Sequence, residues 1–187
     1  MTSTTTSTDH GLSKFHRLLL EQVRHEFTAS QQYIALAAWF DEHDLPQLAG
    51  FFYRQSLEER DHAMMIVRFL IDSDVTVSIP ATDEIRNDFD TARDLVALAL
   101  RQEQEVTAQF QHLVKVAREE NDYSGEEFLH WFLKEQREEV STMSTLLAVV
   151  DRSNGNLFDV ETFVARELSS TGEEDHTAPE TAGPEVS

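Results

Sequence analysis

Glu26, Glu59, Glu103 and Glu139 each interrupt an apolar stripe of helical spacing, one in each of four separate segments. His62 and Gln136 join them, each three residues from one of those acids, as Glu59-x-x-His62 and Gln136-x-x-Glu139. A helix interior keeps a bare carboxylate only where something compensates its charge. Four such breaches in four segments call for one cause, and a pair of divalent cations is the simplest. Four carboxylates carry −4 and two divalent ions +4. Hard oxygen donors with a single imidazole suit iron or manganese better than a soft-ligand metal, although zinc could also bind. The chain reads as a carboxylate-bridged di-iron bundle.

Phase separates the meaningful motif from its copies. Glu-x-x-His occurs as Glu59/His62, Glu127/His130 and Glu173/His176. The second pair lies off the apolar stripe, where Glu127 has a reading as the capping-box partner of Ser124. The third falls in a polar tail. Only Glu59/His62 is in step with acids on three other segments. Tyr33 lies seven residues beyond Glu26 on the same face and could donate a hydrogen bond or an electron there. Trp39 and Trp131 are expected to be packing residues.

The elements that must position these groups are helices. Six Gly and four Pro are too few for a turn-rich β protein. A first helix is expected over 13–40, with the stripe Phe15, Leu19, Gln22, Glu26, Ala29, Tyr33, Ala37. A second starts at Pro46, suited to a first turn, and runs to about Asp72 through Leu48, Phe52, Gln55, Glu59, His62, Ile66 and Phe69. A third begins near Thr91 with Asp94 as capping partner and carries Val96, Leu100, Glu103, Val106, Phe110, Leu113 and Ala117. A fourth, capped by Ser124 and Glu127, carries Leu129, Phe132, Gln136, Glu139, Met143, Leu146 and Val150 until Asn154-Gly155 stops it. A short fifth helix over 156–168 has Leu157, Val160, Val164 and Leu168 on one face. That apolar face looks for a partner beyond the bundle.

Connection lengths set the topology. Short turns at 41–44 and 121–123 make two antiparallel hairpins. The 18 residues 73–90 reach about 60 Å when extended at ~3.3 Å per residue. A 27-residue helix is only about 40 Å long. The connection can therefore return along the whole bundle and set the second and third helices parallel. The expected fold class is all-α: a four-helix bundle with one long crossover and a short fifth helix. The expected organisation is a disordered arm over 1–12, a helical domain over 13–168 and a disordered acidic tail over 169–187.

Composition bounds the function. The 187 residues suffice for one domain with a substantial core. With 15 Lys+Arg against 35 Asp+Glu, the formal charge is −20. This argues against nucleic acid or an anionic membrane as partner and favours cations. The absence of cysteine excludes disulfides, thiolate metal sites and iron–sulfur clusters and fits a reducing cytoplasm. No apolar run approaches membrane-spanning length. The Thr/Ser-rich stretch 2–8 lacks the apolar core of a secretory signal.

Taken together, Glu-Phe-Thr-Ala-Ser-Gln-Gln-Tyr (26–33), Glu-Glu-Arg-Asp-His-Ala (58–63), Glu103 and Glu-Gln-Arg-Glu-Glu (135–139) make the chain resemble the non-haem bacterial ferritins over residues 13 to 168. Di-iron carboxylate bundles themselves supply the pattern of a Glu from each of two helices and Glu-x-x-His from each of the other two. The ligand match is therefore part of the resemblance and not independent of it. Here the second Glu-x-x-His is replaced by Gln136-x-x-Glu139.

The resemblance implies a ferroxidase that stores iron, oxidising Fe(II) with dioxygen and depositing ferric mineral inside a 24-subunit homo-oligomeric cage. It makes Glu26, Glu59 and His62 the ligands of the first iron, with Glu59 bridging, and Glu103 with Gln136 those of the second. A third iron site would use Glu58, Glu135, Glu138 and Glu139, and Glu126 would lie near a three-fold channel. The fifth helices would meet around four-fold channels. Haem-containing bacterioferritins are the nearest rival. They carry a methionine directly after the helix-two Glu, where this chain has Arg60, so no haem is expected although Met64 and Met65 are near. Mini-ferritins lack the fifth helix, and rubrerythrins need cysteines. A di-iron oxidase acting on an organic substrate also competes, as does a bundle whose acids only tune solubility.

Overall fold

A computed structural model of the chain describes residues 12–169 and 176–183. Its helices are α1 Lys14–Glu42, α2 Pro46–Asp72, α3 Ala92–Glu120, α4 Tyr123–Arg152 and α5 Leu157–Glu167. No strand occurs among the described residues, so the fold is all-α as expected. Residues 1–11 of the N-terminal arm and residues 170–175 and 184–187 of the tail lie outside the described residues.

The helix starts show how sequence and packing share the work. Ser13 caps α1 by accepting from the His16 amide at 3.0 Å. Glu120, at the end of α3, accepts from the amides of Lys14 and Phe15 at 3.1 and 3.0 Å, satisfying two of the donors that a helix N-terminus leaves unpaired. α1 and α3 are therefore antiparallel neighbours. Thr91 caps α3 through the Asp94 amide, as its sequence predicts. α4 differs from expectation: its cap is Asp122, whose carboxylate accepts from the Gly125 amide at 2.8 Å. Ser124 already lies inside the helix. An aspartate at this position also favours the positive end of the helix dipole.

α1 pairs with α2 and α3 pairs with α4 in antiparallel hairpins. Leu48 and Leu95, near the starts of α2 and α3, share one apolar cluster, so these two helices run parallel, as the long connection predicts. The crossover is strapped to α1. Gln32, buried on α1, donates to the Arg86 carbonyl at 2.8 Å and accepts from the Arg86 amide at 2.9 Å. Arg24 pairs with Asp83 at 2.7 Å.

The core falls into two apolar clusters. One gathers Tyr33, Phe40, Leu48, Phe52, Leu95, Met143 and Leu146. The other gathers Phe15, Leu19, Ile66, Leu70, Phe110, Leu129 and Phe132. Leu100 and Phe69, expected in the stripes, sit at the edges of these clusters and are only partly buried.

One expectation about the C-terminal region changes. Val160 and Val164 of α5 are fully buried against the first cluster, so the bundle itself covers the face expected to need an outside partner. Of the tail, residues 176–183 are described. The Ala182 amide donates to the Met64 carbonyl at 3.0 Å, and Ala178 and Ala182 rest against the second cluster.

Candidate metal centre

Between the two apolar clusters lies a polar layer. Glu26 comes from α1, Glu59 and His62 from α2, Glu103 from α3, and Gln136 and Glu139 from α4. Glu26 is fully buried, and the other five are 1 to 6 % exposed. Each helix delivers its groups because its stripe must face the bundle axis, so polar residues in phase with that stripe are carried inward with it.

Glu26, Glu59 and His62 bring one ligand atom each to within 4.8 Å of one another, the single such group among the described residues. His62 Nδ1 lies 3.5 Å from Glu59 Oε2 and 3.9 Å from Glu26 Oε2. Glu26 Oε2, both Glu59 oxygens and His62 Nδ1 are buried without a hydrogen-bond partner. Buried polar atoms are nearly always paired, and four orphans converging on one point are what a cation-binding site looks like from its donor side. Trp131 and Phe132 hold the imidazole edge-on, with ring centroids 5.6 and 5.7 Å away. Trp131 thus packs, as expected, but it packs on a candidate ligand.

Glu103 is held differently. It accepts a hydrogen bond from the buried Tyr33 hydroxyl and another from Gln136 Nε2 at 3.3 Å. Thr107 Oγ1, 3.1 Å from Gln136 Oε1, fixes the other end of that amide. In this arrangement Gln136 meets Glu103 with its nitrogen and positions the carboxylate. Glu139 accepts from Gln55 Nε2 at 3.3 Å, and Gln55 also bonds Glu58.

Electrostatics follow from burial. Desolvation, reinforced by the neighbouring Glu59, holds the Glu26 carboxyl well above the usual range. Burial and the charge of Glu103 do the same to Glu59 and to Glu139. Burial lifts Glu103 to about 7, although the Tyr33 hydrogen bond opposes it. Burial and the same Glu103 charge push the Tyr33 hydroxyl up. Ionising several such carboxyls side by side costs desolvation and mutual repulsion, a cost that divalent cations at this point would offset.

Glu58, Glu135 and Glu138 lie outside the layer. Glu58, Glu135, Glu138 and Glu139 line one open pocket of about 510 Å³ between α2 and α4, together with Asp61 and Glu167. Glu135 is half-buried, and desolvation raises its carboxyl. No three of these acids converge as Glu26, Glu59 and His62 do. The Glu127/His130 pair is an exposed surface contact at 3.5 Å, and Glu126 pairs with Arg118.

Thr107, which bonds across to α4, was not among the candidates, although its place four residues after Glu103 and three before Phe110 keeps it in phase with the α3 stripe. Gln22 and Gln55 were visible as polar members of apolar stripes. Gln22 donates to Glu26 Oε1 at 2.6 Å, and its in-phase position four residues before an in-phase acid was the available signal.

Comparison with known proteins places this geometry in a family. Residues 17–153 match the model of the ferritin-like domain. A protein named ferritin BfrB from Mycolicibacterium smegmatis is 58% identical over 171 residues, covering 91% of this chain and 94% of that one. A Mycobacterium tuberculosis relative named bacterioferritin BfrB is 56% identical over 156 residues, 83% of this chain and 86% of that one. A bacterial non-heme ferritin of Staphylococcus aureus is 36% identical over 134 residues, 72% of this chain and 81% of that one. Among solved structures, an open pore ferritin from Archaeoglobus fulgidus shares the fold with a TM-score of 0.80 at 23% identity, covering 83% of this chain and 97% of that one.

Proposed function

This chain belongs to the ferritin-like family, and on that premise we propose that it is an iron-storing ferroxidase: two Fe(II) ions bind at the polar layer, each gives one electron to dioxygen, which takes up two protons and leaves as hydrogen peroxide, and the ferric product is passed on for storage. The observation that carries this reading is the convergence of unpaired, buried ligand atoms from Glu26, Glu59 and His62 beside Glu103. Fe(II) is the substrate, and the residues act on it in distinct ways. Glu26 and His62 bind the first ion together with Glu59, whose two free oxygens let it span to a second. Glu103, steered by Tyr33 and Gln136, takes the second ion. Carboxylates held protonated by burial lose their protons as the ions arrive, so uptake releases acid.

Gln136, neutral where a carboxylate would bind harder, weakens the second position and helps product leave. Glu139 and the Glu58–Glu135–Glu138 pocket supply a third position on the way out. By the same proposal, the chain assembles as a homo-oligomeric cage of 24 subunits in the cytoplasm. No helix of the described residues is long and apolar enough to cross a membrane. Arg60 directly after Glu59 supports a haem-free protein, even though one relative is named a bacterioferritin. The pocket beside the centre is lined by five acids besides Glu139 and offers little to an organic substrate, which disfavours the oxidase reading.

Anaerobic Fe(II) titration followed by oxygen tests the proposal. Iron retained far beyond two ions per chain, in a particle of cage size by size exclusion, is the expected result. A ceiling of two per chain would sink storage. Oxidation that survives Glu59→Ala with His62→Ala would sink the site. A Soret band after purification with haem supplied would sink the haem-free assignment.

A further inference from the structure

The centre has a second approach, on the α1/α3 face opposite the acidic α2/α4 pocket. A groove of about 320 Å³ runs there, lined by Leu18, Glu21, Gln22, His25, Gln109 and His112. At ~30 Å³ per water that is room for about ten waters. Its floor is the Gln22 side chain, only 2 % exposed. Gln22 Nε2 donates in two directions, to Glu26 Oε1 at 2.6 Å and to Gln109 Oε1 at 3.1 Å. One buried amide therefore separates an open groove from a candidate ligand whose other oxygen is unpaired.

We propose that this groove is a side portal through which hydrated divalent cations reach Glu26, with the Gln22–Gln109 hydrogen bond as its latch. The inference rests on the metal-centre reading above. An apolar residue at position 22 would have sealed the core at lower cost, since buried amides must find partners. A glutamine instead offers a wall that opens by side-chain rotation, giving up two hydrogen bonds that an entering hydrated ion can replace. Gln109 is only partly buried, so its amide can swing into the groove without disturbing the core. Glu21, His25 and His112 give the groove oxygen and imidazole donors suited to a passing cation. The formal charge of −20 draws cations toward the surface where it opens.

The test uses the full-length assembled protein and Co(II) without oxidant, followed by stopped-flow absorbance of the bound ion. Gln109→Ala breaks the latch, and binding should accelerate about fivefold, the fold-change of one net hydrogen bond. Gln109→Phe fills the groove, and binding should slow severalfold. The number of ions bound at equilibrium should not change in either. Wild-type rates in both variants overturn the portal while leaving the centre intact. If Gln109→Phe does not assemble, Gln109→Ala decides alone. Wild type taking up no Co(II), or Glu59→Ala taking up as much as wild type, overturns the metal-centre reading itself.

Discussion

Glu161 of α5 accepts a hydrogen bond from the backbone amide of Leu48 at 2.8 Å, and its other oxygen accepts from Gln47 at 2.9 Å. α2 begins after Leu45, which offers no side-chain cap. A helix on the far side of the chain thus supplies the cap that α2 lacks, and a carboxylate there also meets the positive end of the α2 dipole. Glu161→Ala should cost about 1 kcal/mol. Thermal unfolding should shift down by about 2–4 °C, with Glu161→Gln recovering part of the loss because it keeps an acceptor. An unchanged melting temperature would mean that water replaces the cap without penalty.

Gly125 predicts a steric effect. A Cβ there would lie 2.2 Å from Phe15 Cε1 and 2.6 Å from its Cζ, and Phe15 is fully buried. Helix propensity alone would favour alanine by about 1 kcal/mol, but forcing a buried ring aside costs about 1–3 kcal/mol. Gly125→Ala should therefore be net destabilising by about 1 kcal/mol, measured by denaturant unfolding. A stabilised variant would show that Phe15 has room to move.

Glu59→Leu should separate stability from function. Both Glu59 oxygens are buried without a partner and burial holds the carboxyl above the usual range, so an apolar side chain of similar volume relieves an unpaired polar group. In chelator-treated protein the variant should therefore melt no lower than wild type. Added divalent metal should raise the melting temperature of wild type but not of the variant, and rapid Fe(II) oxidation should be lost. A variant that melts lower without metal would show that Glu59 is structurally required.

The layer also predicts an inverted pH dependence. Burial raises Glu103 to about 7 in the folded protein against 4.5 as its ordinary value. The folded state therefore binds more protons than the unfolded state between those pH values, and stability falls as pH rises. The contribution is fully present below about 4.5 and is lost as pH climbs through about 7. Glu26, Glu59 and Glu139 shift in the same direction. Metal-free wild type should lose stability relative to Glu103→Gln between about pH 5 and about pH 8, and saturating divalent metal should cancel the trend. A difference that grows with pH in favour of wild type would refute the burial argument.

How much of this was legible beforehand depended on the range of the interaction. Glu26, Glu59, His62, Glu103, Gln136 and Glu139 could be read out because each stripe marks its own inward face, and phase is a local property of a helix. The parallel run of α2 and α3 followed from chain length against helix length. Asp122 was passed over for Ser124 because the two compete for one cap within a single turn, and only the backbone path decides between them. Gln109 lies outside the apolar stripe of α3, so no periodicity marks it; Thr107 is in phase, four residues after Glu103, but its partner Gln136 exists only across a helix–helix contact.

The sequence by itself determined the helices, the crossover and the level at which six polar groups enter the core, because periodicity and connection length are one-dimensional quantities. Only the tertiary structure decided what those groups touch. It turned Gln136 toward Glu103 through Thr107, left Glu59 and His62 Nδ1 unpaired, folded α5 back so that Glu161 caps α2, and closed the Gln22–Gln109 contact. Each of these joins residues far apart in the chain, and such a pairing depends on the relative rotation and height of two packed helices, which neither helix encodes alone.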